Sequence, residues 1–234
     1  MVDTVTSEEK KQTIIAQIIS ERPKLHGRDG QTNWQVNSDV LNWLTANLRS
    51  GMTTLETGCG ASSIAFTLCG ASHTVVTPAS GEFERVVQWC KSNEIETDFL
   101  TYVEGCSETV LPTLKDEPLD VVLIDGRHAF PTPFIDWYYT ASRLKVGGRV
   151  IVDDTFIRSC KILNEFLYAE KGRWVREVQF PCSSIYKKVS EVIHPPNWTH
   201  QPWGNEKIYN FKSKMISLKN STKNKVLRFL GLRK

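Results

Sequence analysis

The chain has 234 residues and a mass of 26.6 kDa, the size of one large domain with appendages and too small for two full ones. Hydrophobic residues at 40% and charged residues at 24% supply a substantial core and exclude extended disorder. The net charge of +3 is uneven, because nine basic residues and no acidic one follow Glu206, leaving residues 1–206 acidic overall and arguing against a nucleic-acid-binding body.

Glu8 to Ile19 carries Ile14, Ile15, Ile18 and Ile19 at helical spacing, and Pro23–Gly30 ends that helix. Asn37 or Ser38 then caps a second helix whose apolar residues Val40, Leu41, Trp43, Leu44 and Leu48 run to Gly51. From there strands and helices alternate. Strands are expected at Thr53–Thr57, His73–Thr77, Phe99–Glu104, Leu119–Asp125 and Arg149–Asp153. Helices are expected at Ser63–Leu68, Glu82–Ser92, Glu108–Lys115 and Phe134–Leu144, the last closed by Gly147-Gly148. Such alternation demands parallel strands with right-handed crossovers and helices on both faces. After a helix at Arg158–Glu170, the runs Trp174–Phe180 and Ser183–Val189 are separated only by Pro181 and Cys182. That gap is too short for a crossover, so the last strand is antiparallel. The expected fold class is α/β: a Rossmann-like open sheet of about seven strands, mostly parallel.

The expected domain organisation is a helical cap at 1–50, a ligand-binding α/β domain at 51–190, and an irregular Pro/Trp segment with a basic tail at 191–234. The tail has two readings. Its Lys residues and Val226, Leu227 and Leu230 suit a basic helix making weak peripheral contact with an anionic membrane, while the break at Asn220-Ser221-Thr222 favours a solubilising tail. No apolar run approaches the roughly 20 residues that cross a bilayer, and no leader pattern opens the chain, so a cytoplasmic setting is expected. Six cysteines form neither a CxxC pair nor a zinc spacing, and buried free thiols are the expectation.

Ligands of open α/β sheets bind at the carboxyl ends of the strands. The first strand is followed by Glu56-Thr57-Gly58-Cys59-Gly60-Ala61-Ser62-Ser63, whose glycines admit close backbone approach before a helix N-terminus. The fourth strand is followed by Asp125-Gly126-Arg127-His128 and the fifth by Asp153-Asp154. Clustered carboxylates repel unless a cation joins them, and hard oxygen donors suit Mg²⁺. Asp154 is also readable as a cap of the next helix and Asp125 as a cap of its loop. His128 titrates near neutrality and is a candidate general base. The other histidines, His26 and His73 among them, carry no partner spacing and receive no role. Trp137, Tyr138 and Tyr139 are expected in the core.

The glycine turn, the I-D-G-R-H segment and L-K-V-G-G-R-V-I-V-D-D, in this order, resemble class I S-adenosylmethionine-dependent methyltransferases. The likeness is greatest to small-molecule O-methyltransferases with a D-G-x-H motif and a terminal D-D pair, and it spans about Trp34 to Val189. The resemblance implies S-adenosyl-L-methionine as cofactor, with Glu56, Gly58, Cys59 and Gly60 at its methionine part and Ser62 and Ser63 capping the helix behind. It places Gly105, Cys106 and Ser107 at the adenine and Asp125 and Gly126 beside the cofactor. The acid that usually ends the second strand is missing from Thr77-Pro78-Ala79-Ser80, so Glu82, or Thr77 with Ser80, is left to meet the ribose. Asp125, Asp153 and Asp154 would hold a divalent ion such as Mg²⁺, with Asp125 and His128 catalytic and Trp34 and Arg127 toward a small-molecule hydroxyl substrate. Metal-independent transfer and a non-catalytic α/β module with a degenerate cofactor site are the alternatives. A nicotinamide enzyme is a weaker one, for want of a third glycine and the ribose acid.

Overall fold

The computed structural model of the protein describes residues 7–205, which fall into two units, one ending at Ile193 and the other beginning at His194. The basic tail discussed above lies outside the described residues. In the first unit, helix α1 (Ser7–Glu21) has Glu8 and Glu9 in its first turn, where they complement the helix dipole, and buries Ile14, Ile15 and Ile18. Helix α2 (Ser38–Asn47) starts at Asn37, whose side chain accepts the N–H of Asp39 at 2.9 Å.

The sheet follows as β1 (Thr53–Thr57), β2 (Ser72–Thr77), β3 (Leu100–Glu104), β4 (Leu119–Ile124), β5 (Leu144–Val152), β6 (Trp174–Gln179) and β7 (Ser184–Lys188). Between them run α3 (Ala61–Leu68), α4 (Ser80–Ser92), the one-turn α5 (Ser107–Val110), α6 (Thr132–Ala141) and α7 (Arg158–Ala169). The strand order is β3-β2-β1-β4-β5-β7-β6, and only β7 runs against its neighbours. The order reverses between β1 and β4, which opens a crevice outside their carboxyl ends.

Alternation along the buried strands feeds two cores. On one face Val121, Leu123, Ile151 and Ile185 join Ile15 and Ile18 of α1, Leu41 and Leu44 of α2, Phe66 of α3 and Val86 of α4. The alternate residues Val122, Ile124, Val150 and Val152 are equally buried. Near α6 and α7, Trp137 packs edge-on to Phe166 at 5.0 Å and to Trp174 at 6.2 Å. Trp137 is thus core as expected, but Tyr138 is half exposed, because the helix turns it outward.

Strand β5 departs from expectation by starting at Leu144 instead of Arg149. Leu144 pairs with Leu119, and the register slips before Val121 pairs with Arg149. Gly147 takes up the irregularity with φ +90°, so the glycine pair bends a strand where the sequence suggested a helix stop. All six cysteines are free; four are buried, while Cys106 is exposed and Cys182 half-buried. In the second unit, 3-10 turns at Trp198–His200 and Trp203–Asn205 are the regular elements among the described residues. No described helix is long and apolar enough to cross a membrane.

Candidate active site

A cavity of about 750 Å³ lies at the crevice between β1 and β4. One end is the turn after β1. Gly58 has φ +100°, and a Cβ there would stand 2.3 Å from the backbone oxygen of Asp125, so only glycine lets the β1 and β4 ends meet. Gly60 is different. Its backbone is extended, and a Cβ would lie 2.6 Å from Nε2 of His26. The space that the sequence suggested was for a ligand is filled by an imidazole of the chain itself.

Glu56 was expected at the cavity wall and stands behind it, fully buried. Ser62 donates to its Oε2 at 2.6 Å, Ser63 donates to Oε1, and Nε2 of His73 lies 3.2 Å from Oε1. A buried carboxylate requires such partners, and Glu56 is not among the residues that line the cavity. Ser63 also accepts the N–H of Gly60 at 3.0 Å, so it caps α3 as expected, but neither it nor Ser62 lines the cavity. Nor does Gly105, whose missing Cβ makes room for Val110.

The cavity wall does include Gly58, Cys59, Thr77, Glu82, Cys106, Ser107, Asp125, Gly126, Trp34 and Arg127. Trp34 is 68% exposed, so it is a mouth residue and no part of the core. Arg127 reaches toward Glu108 at 3.7 Å. Glu82 already accepts the N–H of Gly27 on Oε1 at 2.9 Å. Burial pushes the Cys59 thiol well above its ordinary range, so it is an inert wall atom.

The acids stand just beyond the ends of β4 and β5. Asp153 is buried, and its Oδ1 accepts the hydroxyl of Ser183. Asp154, in the left-handed region at φ +50°, turns its Oδ2 to within 2.9 Å of Nε2 of His128. Oδ1 of Asp125 is 4.0 Å from that nitrogen. Asp125, His128 and Asp154 bring possible ligand atoms within 4.8 Å of one another, and Asp153, which also lines the cavity, spends its Oδ1 on Ser183.

The histidine is gripped from α7. Nδ1 of His128 faces the Cys160 thiol at 3.5 Å, and Ser159 donates its hydroxyl to the His128 carbonyl. The contacts with Asp154 and Cys160 raise the imidazole pKa to about 10, which overturns the near-neutral value expected from the sequence. Burial, together with the neighbouring Asp153 carboxylate, holds Asp125 well above the usual carboxylate range.

Sequence reasoning missed several cavity residues. His26, Gln35, Glu108, Phe156 and Ile157 line it without any motif. Asp136 lies beneath: its Oδ2 accepts the Thr57 hydroxyl at 2.8 Å, and burial raises its pKa to about 6 even though the Thr57 and Ser107 hydroxyls oppose the shift. The signal available for His26 was its place beside Gly27 in a glycine-punctuated loop; for Asp136 it was a lone acid on an otherwise apolar helix.

Residues 55–155 match the model of a family described as a methyltransferase domain. No curated protein matches the chain. Among solved structures, the O-methyltransferase NovP is similar with a TM-score of 0.61 over 79% of this chain and 100% of that one, at 14% identity. The O-methyltransferase TomG from Streptomyces achromogenes, solved with S-adenosylmethionine, gives 0.58 over 74% and 90% at 16% identity. An O-methyltransferase from Bacillus cereus, solved with S-adenosylhomocysteine, gives 0.56 over 81% and 93% at 14% identity. At such identities the likeness is one of fold. The chain thus has the Rossmann-like methyltransferase fold, and its segment 55–155 is similar to a methyltransferase domain.

Proposed function

We propose that the protein is an S-adenosylmethionine-dependent methyltransferase acting on a hydroxyl oxygen of a small molecule, with a divalent cation such as Mg²⁺ at the acidic end of the cavity. The observation that carries this reading is one continuous cavity at the strand-order reversal, lined both by the glycine turn and by Asp125, His128 and Asp154. Its volume lies within the usual range of small-molecule sites.

The residues present fit the cofactor. Gly58 and Cys59 would hold its methionine part, Glu82 and Thr77 its ribose, and Cys106 and Ser107 its adenine. When bound, the sulfonium supplies an electrophilic methyl group. Glu82 keeps Oε2 for a hydroxyl donor, since Gly27 takes Oε1. Ser107 and Thr57 are turned toward Asp136, which holds the two walls in register.

The acids also fit a hard cation, which when bound lowers the pKa of a coordinated hydroxyl. Asp125 and Asp154 would hold it, and the half-buried Asp125, its carboxyl pushed well above the usual range, has most to gain from a positive neighbour. Trp34 and Phe156 at the mouth offer aromatic surface to an acceptor. His128 carries its proton on Nε2 toward Asp154, so it can act as a base only after giving that proton up, a loss that a cation held by Asp125 and Asp154 would favour. The rest of the barrier reduction falls to alignment of acceptor and methyl group, worth roughly 7–11 kcal/mol when the geometry is good.

The His128–Asp154 contact favours a second reading, the same transfer without metal, because an imidazolium already neutralises Asp154. Calorimetric titration with S-adenosylmethionine, with and without Mg²⁺ and after chelator treatment, tests both. Binding of the cofactor together with a separate Mg²⁺ heat abolished in Asp154→Asn is expected. Cofactor binding with no Mg²⁺ heat selects the metal-free reading, and no cofactor binding under either condition overturns both.

A further inference from the structure

The cavity lacks an acid at the end of β2, and part of its wall there comes from far up the chain. Residues 25–34 form a short strap. His26 and Thr32 exchange two backbone hydrogen bonds at 3.2 Å, with Gly27 and Gly30 at positive φ in the bend. Helix α4 grips this strap with two residues three apart on one face. Arg85 donates from Nε to the Leu25 carbonyl at 2.8 Å and from Nη2 to the Gly27 carbonyl at 2.6 Å, and Glu82 accepts the Gly27 N–H. Gly30 lies against the Arg85 stem, where a Cβ would stand 2.9 Å from Cδ.

From this anchored bend the His26 ring enters the cavity, abuts Gly60 of the glycine turn, and accepts the Trp34 N–H on Nδ1 at 3.2 Å. One guanidinium outside the cavity thereby fixes the backbone on both sides of His26, and through it the placement of Trp34. Planar, two-pronged bonding to fixed carbonyls is a task that lysine cannot duplicate.

We propose that this strap is the wall that closes the cofactor end of the cavity, and that Arg85 is the positioning residue that sets cofactor affinity by holding it. The inference rests on the cofactor reading above and assigns the pocket a part that the glycine turn and the strand ends do not supply.

The test uses the full chain and S-adenosylhomocysteine, which binds without turnover. Arg85→Ala is expected to weaken binding by tenfold or more, and Arg85→Lys by an intermediate factor. Hydrogen–deuterium exchange gives a second readout: in the wild type, amides of the strap slow when the ligand is added while those of β4 do not change, and in Arg85→Ala the strap amides exchange faster. Unchanged affinity in folded Arg85→Ala, or strap amides indifferent to ligand in the wild type, overturns the proposal. Should Arg85→Ala fail to fold, the wild-type exchange decides alone. A wild-type chain that binds no S-adenosylhomocysteine overturns the cofactor reading and this proposal together, whereas wild-type binding that is insensitive to Arg85 overturns the strap alone.

Discussion

Nε2 of His128 and Oδ2 of Asp154 stand 2.9 Å apart, which makes the imidazole a cation at neutral pH. Its folded pKa lies above the unfolded value, so the pair's contribution to stability is fully present below about pH 6.5. It is lost as pH rises through about 10. Asp154→Asn removes the main cause of the shift. NMR titration of the His128 ring in the metal-free chain is expected to move its midpoint down toward that of a free histidine.

Asp136 also costs stability as pH rises, but in a lower window and through burial of a charge. Its pKa of about 6 is raised by burial, so the native state binds a proton that the unfolded chain has already lost. Stability therefore falls as pH rises from about 4 to 6. Asp136→Asn keeps an acceptor for Thr57 and no longer has a charge to bury. Thermal unfolding is expected to show a gain of up to about 3 kcal/mol at pH 8 and little change at pH 4. An equal effect at both values would sink the assignment.

The two glycines of the turn make separable predictions. Gly58→Ala forces a Cβ against the Asp125 backbone at a strained φ and is expected to cost about 3 kcal/mol or more, read by urea unfolding. Gly60→Ala meets only the His26 side chain. Its cost, about 1–3 kcal/mol, is expected to shrink in the double variant with His26→Ala. Strict additivity would mean that the imidazole does not occupy that space.

His73→Phe tests the buried pair behind the turn. Phenylalanine retains the stack on Phe66, now at 4.1 Å between ring centres, but leaves the Glu56 carboxylate with serine donors alone. Leaving a buried polar group without its partner costs about 1–3 kcal/mol, and denaturant unfolding should register a loss of that order, to which the Thr54 hydroxyl paired with Nδ1 of His73 at 2.8 Å contributes.

The fold was legible wherever the information was local. Val121–Ile124 and Thr53–Thr57 announce buried strands by composition, and the two-residue gap at Pro181-Cys182 dictates a reversed strand. The glycine turn and the carboxylates at strand ends were likewise placed at the cavity by topology. What escaped was pairing at a distance. Glu56 was read as facing a ligand because nothing nearby shows that His73 faces it across the β1–β2 pairing. His26 looked idle because its neighbour, Gly60, is far along the chain, and the Ser183 partner of Asp153 arrives only with the final hairpin.

That hairpin has a wider consequence. Because β7 alone runs backwards, its first residue pairs with the last of β5, and the turn before it reaches the same rim as Asp153 and Thr155. The N–H of Thr155 is fastened to the Cys182 carbonyl at 2.8 Å. Two residues at the outer margin of the sheet thus steer the acidic end of the cavity without touching the glycine end. An exchange at Cys182 or Ser183 would therefore be felt at Asp153 and Thr155 although neither residue lines the cavity itself.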